Sequence, residues 1–137
     1  MLVITVGVIV AGIWAIIWFA LPLRLENPRP AAERSAIEAL RTVQQQLAAY
    51  ANGAGTFPDS LEALGAPARD AAQGALAKGY SIRYTPQHAD ANGNARAYTL
   101  VAVPRNYGYE SLYTDQSEII RATRDNRPAT VQDPPLK

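Results

Sequence analysis

The stretch that decides the fold runs from Ala36 to Tyr50, AIEALRTVQQQLAAY. Its apolar positions Ile37, Leu40, Val43, Leu47 and Tyr50 step by 3, 3, 4 and 3 residues, which places them on one face of a helix. Arg34, Glu38, Arg41 and Gln45 fall on another face, with Arg34–Glu38 and Glu38–Arg41 at pairing distances. A stripe of this kind packs on a sheet of its own domain. A coiled-coil partner is the lesser alternative, because the pattern lasts barely two heptads. Upstream, Asn27 is a candidate N-cap with Pro28 at the first helical position, and Pro30 also fits a first turn, so the helix starts at either proline. Downstream, Asn52-Gly53 and Gly55 are its stop signals.

Moving toward the C-terminus, Phe57-Pro58-Asp59-Ser60 leads into a short helical turn, Leu61 to Leu64, with Asp59 or Ser60 as cap and Gly65 as stop. The Ala-rich run Pro67 to Lys78 adds another helical turn or two before Gly79. The period then changes. Tyr80, Ile82 and Tyr84 alternate with Ser81, Arg83 and Thr85, a half-buried strand. A polar loop, Gln87 to Asn94, joins it to a second strand over Ala97 to Val103, with Tyr98, Leu100 and Ala102 on one face. Strands around Ser111 to Thr114 and Ile119 to Ala122 complete a three- or four-stranded antiparallel sheet. After Arg124 the tail, with Pro128, Pro134 and Pro135, reads as irregular.

Toward the N-terminus, Leu2 to Leu21 reads LVITVGVIVAGIWAIIWFAL, twenty residues without a charge. As a helix it would rise roughly 30 Å, the thickness of a bilayer's hydrocarbon core. A head of about 115 residues could hardly enclose a helix that is apolar all round. Trp14, Trp18 and Phe19 crowd the C-terminal end of the stretch, where aromatic rings favour the headgroup boundary, and Pro22 ends or kinks it. A cleavable secretory signal fits less well, because no basic residues precede the stretch and no small-x-small site follows. The expected fold class is therefore α+β: an N-terminal transmembrane helix, then a long amphipathic helix on a small three- to four-stranded antiparallel sheet. The expected division is a membrane segment at 1–22, a Pro-containing linker at 23–30, a head at 31–124 and an irregular tail at 125–137. Arg24, Arg29 and Arg34 follow the apolar stretch, and the positive-inside rule alone would place the head in the cytoplasm.

Composition narrows the function. Thirteen basic against twelve acidic residues leave no charge excess to suggest a nucleic-acid partner. Without cysteine there is neither a disulfide framework nor thiol chemistry, and His88 is the one histidine. Asp90-x-Asn92-x-Asn94 opens like a calcium loop, but Ala95 and Val101 stand where an EF-hand needs Gly and Glu, so it reads as a polar hairpin loop. His88 lacks a second nitrogen or sulfur ligand. Ser60 beside Asp59 reads as a cap, not a nucleophile. Asp115 and Glu118 flank a tight turn and do not form a water-excluding acid pair. Tyr80, Tyr84 and Tyr98 lie on strand faces that are buried, which favours core packing over base stacking. The reading is of a non-enzymatic protein with no cofactor, metal, nucleic acid or small-molecule substrate.

Several fragments share one order and register: Ala20-Leu21-Pro22, Ala39-Leu40-Arg41-Thr42-Val43, Leu47, Tyr50-Ala51 and Phe57-Pro58. Downstream come Gly79-Tyr80, Tyr98-Thr99-Leu100, Ala102-Val103-Pro104, Tyr113-Thr114-Asp115 and Ile120-Arg121. In these the chain resembles the type IV pilins and the type II secretion pseudopilins across nearly its whole length. The resemblance implies a structural subunit held at the bacterial cytoplasmic membrane with its head on the outer face, against the arginine count. Its implied partners are the lipid bilayer and other pilin-like subunits, and Met1, Thr5, Trp14, Trp18 and Pro22 are the membrane and assembly residues. The alternative is an accessory subunit of a larger membrane complex that forms no filament. The departures are specific. The family's leader motif, a glycine followed by Phe-Thr-Leu-Ile-Glu, does not occur, and Met1 stands where the processed first residue would be. Thr5 occupies the place of the glutamate thought to pair with a neighbour's N-terminal amine. Glu118 replaces a turn glycine, which puts the shape of that turn in question.

Overall fold

A computed structural model describes residues 29–88, 91–106 and 108–137. Helix α1 spans Ala31–Ala54, directly after Pro30; Asn27 and Pro28, considered for its cap, lie outside the described residues. It runs through Asn52-Gly53 and stops only at Gly55, whose φ of 77° is open to a residue without a Cβ. There the Gly55 N–H donates to the Ala51 carbonyl at 2.8 Å. A 3-10 turn, Leu61–Leu64, follows. Ser60 caps it in position but its hydroxyl makes no capping hydrogen bond, and Asp59 lies 3.1 Å from the His88 ring instead, so neither side chain supplies the expected cap. Helix α2, Ala66–Ala77, is a full twelve residues with Pro67 in its first turn. It packs on α1 through small side chains, Ala39 from α1 and Ala68 and Ala75 from α2.

Four strands follow: β1 Tyr80–His88, β2 Ala95–Pro104, β3 Ser111–Asp115 and β4 Arg121–Thr123. They form one antiparallel sheet in chain order. β1 carries Pro86 opposite Tyr98 and has a register shift at Gln87/His88, features tolerated on an edge strand. His88 therefore ends a strand and does not sit in the following loop. Asp90 lies outside the described residues. The core lies between α1 and the sheet, where Leu40, Val43 and Leu47 meet Tyr80, Tyr98, Leu100, Ala102 and Leu112. Each fully buried leucine contributes roughly 1.5–3 kcal/mol of transfer free energy.

The expected fold class requires one correction. The described chain is α+β, two α-helices with a four-stranded antiparallel sheet, and no described helix is long and apolar enough to cross a membrane. The reason is visible in α1. Its 24 residues would rise about 36 Å, but it carries Glu33, Arg34, Glu38 and Arg41 and is apolar on one face only. The expectation for residues 1–22 falls outside the described residues, as do Met1, Thr5, Trp14, Trp18 and Pro22.

The C-terminal tail has no helix or strand of its own but is pinned to the sheet. Leu136 N–H donates to Ile120 O at 2.8 Å and Ala122 N–H to Pro134 O at 3.1 Å, which covers the outer edge of β4. Arg121 donates to Asp133 O at 2.9 Å, and Ala129 N–H donates to the Ser111 hydroxyl at 2.8 Å.

Candidate interaction surfaces

Two polar side chains interrupt the buried stripe of α1, and each anchors one end of β3. Glu33, in the first turn, is fully buried and accepts the Glu110 N–H at 2.9 Å, just before β3 begins. Its position suits a carboxylate, because the helix N-terminus presents unpaired N–H groups and a positive dipole end. The second carboxylate oxygen has no hydrogen-bond partner; Arg124 approaches it at 3.8 Å. Arg124 also reaches Glu110 at 3.3 Å, and the Tyr80 hydroxyl donates to the Glu110 carbonyl at 2.7 Å. One turn past the middle of the stripe, Gln44 donates to the Thr114 hydroxyl, which donates to Ile119 O at 3.1 Å. This relay fixes the turn between β3 and β4. There Glu118 keeps φ at 64° and donates its N–H to Asp115 O at 3.0 Å, so the turn accommodates a residue with a Cβ at a positive φ. Sequence reading missed both anchors. The signal was present, since Glu33 and Gln44 continue the spacing of Ile37, Leu40 and Leu47, but only apolar residues were counted in the stripe.

The remaining residues singled out from sequence separate into packed and peripheral. Ile37, Leu40, Val43, Leu47, Tyr80, Tyr98 and Leu100 belong to the buried cluster, and Ile82 and Tyr84 pack partly buried against it. Tyr50 is half-exposed and outside the cluster, because it sits beyond the last turn of α1 that the sheet covers. Burial first, then Glu33, raises the Tyr80 hydroxyl above its ordinary value, and burial with Asp59 and Tyr50 pushes Tyr84 up to about 12. Tyr84 donates to Pro58 O at 2.6 Å, and Phe57 stacks edge-on to Tyr98 at 4.8 Å, so these rings tie the α1–α2 connection to the sheet. Burial pushes the Asp115 carboxyl up, but hydrogen bonds from Ser117 and Tyr113 and the charge of Arg121 bring it below its ordinary value. Asp115 therefore organises its own turn. Among the described residues no group of three His, Cys, Asp or Glu is placed to hold a metal ion.

Open grooves lie on the described head, two of them beside the elements above. One, of about 360 Å³, runs between α2 and β1 and is floored by Leu61, Ala68, Ala72, Leu76 and Ile82, with Glu62 and Arg69 at its rim. Leu76 is 42% exposed there, a large apolar side chain in water. The other, of about 480 Å³, lies between α1 at Arg41 and Gln45 and the Ile119–Ile120 and Leu136–Lys137 segments, beside the Gln44 relay. No protein-family model, curated protein or solved structure matches the chain.

Proposed function

We propose that this chain is a structural, non-enzymatic pilin-like subunit of a type IV pilus or type II secretion pseudopilus, held at the outer face of the bacterial cytoplasmic membrane and assembling through its uncharged stretch Leu2 to Leu21. The supporting observation is the order of elements: a long one-faced helix, a short-helix connection, then an antiparallel meander clamped to that helix by Glu33 and Gln44. A head built this way has exposed grooves available to neighbouring subunits. A second reading, an accessory subunit of a membrane complex that forms no filament, is favoured by Thr5, which cannot supply the carboxylate that family members use in assembly.

Mass spectrometry of the N-terminal residue of the native protein discriminates the two. A methylated first residue supports the filament reading. An unprocessed residue would overturn it and leave the accessory reading in place.

A further inference from the structure

A third recess opens on the sheet face opposite α1, between the end of β2, the connection that follows it and the turn at 125–128. It measures about 200 Å³ and is lined by Arg105, Asn106, Tyr109, Ser111, Asn126 and Arg127, with two prolines and a valine as apolar wall. That is below the size of drug-like ligand pockets, roughly 300–1,000 Å³, so the recess admits a single side chain or a small acid. No lining residue is acidic. Arg127 is neutralised by Asp133 at 2.5 Å and Asp125 at 3.4 Å, and the Ser111 hydroxyl is engaged by the Ala129 N–H at 2.8 Å. Among the described residues nothing pairs directly with the guanidinium of Arg105, so its donors are open to a ligand, while the two carboxylates on Arg127 leave little net positive charge around it. Asn106 and Asn126 line the same recess, and Asn126 is held at φ 55°, a conformation few residues other than glycine adopt.

We propose that this recess binds a carboxylate group carried on a short apolar stem. The one open guanidinium can meet a monoanion, whereas a phosphate group brings about −1.5 to −2 charges at neutral pH and would meet the added repulsion of Asp125 and Asp133. A guanidinium also matches the planar fork of a carboxylate with two parallel donors, and the amides can complete its acceptor sites. The valine and proline wall takes the hydrocarbon stem. The carboxylate has two possible sources, a free small acid or the C-terminal residue of a polypeptide.

The full chain, isotope-labelled in a non-ionic detergent, is titrated with hexanoate, with a short peptide ending in a free leucine carboxylate, with the same peptide amidated, and with inorganic phosphate. Backbone amide shifts at Arg105, Ser111 and Asn126 report binding. Saturable shifts are expected with at least one carboxylate probe, and about tenfold weaker binding with phosphate and the amidated peptide. Arg105→Gln weakens the carboxylate by about tenfold or more while Arg34→Gln does not. Arg105→Lys, which keeps the charge, retains part of the binding if Arg105→Gln proves to alter folding. Binding of the peptide alone assigns the polypeptide source; equal binding of hexanoate assigns the free acid. Absence of saturation with every carboxylate, equal affinity for phosphate, or an unaffected Arg105→Gln protein overturns the proposal.

Discussion

Glu33 is the residue whose replacement most sharply tests how the head is held together. Glu33→Ala removes a charged acceptor from the Glu110 N–H, a hydrogen bond worth about 1.5–3 kcal/mol, and strands that N–H in a part-buried site. The ion pair with Arg124 adds little, because Arg124 is 56% exposed and its attraction is screened, with an expected share of about 0–1 kcal/mol. Relief of the buried charge offsets part of the loss. The net cost expected is about 2–3 kcal/mol, a large fraction of the roughly 5–15 kcal/mol that holds a domain of this size. Glu33→Gln keeps an oxygen facing the Glu110 N–H and gives up only the charge, so it should cost about 1 kcal/mol or less. Urea denaturation of residues 30–137, followed by circular dichroism and tyrosine emission, measures both; Trp14 and Trp18 lie outside this fragment. Hydrogen exchange at the Glu110 amide should accelerate in Glu33→Ala and stay near wild type in Glu33→Gln. Equal costs for the two variants, or an Ala variant within about 0.5 kcal/mol of wild type, would refute the anchoring role.

Other outcomes follow from the same contacts. Leu40→Ala or Leu47→Ala, both fully buried, should each cost about 2–5 kcal/mol in the same urea experiment. Because the folded state raises the Tyr84 hydroxyl to about 12, its contribution is complete below the unfolded value near 10 and disappears as pH rises through 12. Alkaline titration followed by tyrosinate absorbance should therefore show stability declining across that window. The hydrogen bond from Arg127 holds Asp133 well below the usual carboxylate range, so its contribution is present above that range and lost only as pH falls beneath it. Asp133→Asn should speed exchange of the Leu136 and Thr130 amides at neutral pH while leaving Leu100 protected, and uniform loss of protection would contradict a tail that opens by itself.

How much of this was readable depended on whether a residue's role repeats along the chain. The period of Ile37 to Leu47 and the alternation of Tyr80 to Thr85 are repeats, and each marks its element because burial on one face forces the spacing. Glu33 and Gln44 share the helical period, but their chemistry hid it, since a polar residue in a stripe makes sense only once its partner, Glu110 or Thr114, is known. Those partners lie 77 and 70 residues away. The end of α1 was marked by two signals, Asn52-Gly53 and Gly55, and only the second stops it. Of the two, Gly55 adopts the left-handed conformation and Gly53 does not, so the helix carries the first glycine as an internal cost of about 1 kcal/mol. The tail read as irregular and is, but its attachment through Arg127, Asp133 and Leu136 rests on single side-chain and backbone contacts that leave no pattern in sequence. The recess at Arg105 was invisible for the same reason, being assembled from three separate segments.

The proposal that this chain assembles with pilin-like subunits has a direct test in the composition of assembled material. Thr5 cannot neutralise a neighbour's amine, and leaving an ammonium unpaired among apolar stretches costs several kcal/mol. A repeating major subunit would incur that cost in every copy, whereas a scarce or capping subunit would not. Quantitative mass spectrometry of sheared and membrane fractions, from cells expressing this chain with a complete pilus or secretion system, reads the outcome. The account predicts this chain in the assembled fraction, scarce beside a more abundant pilin-like subunit, and no long filaments by electron microscopy when it is expressed alone with a processing peptidase. Its absence from every assembled fraction, or abundant uniform filaments made of this chain alone, would contradict it.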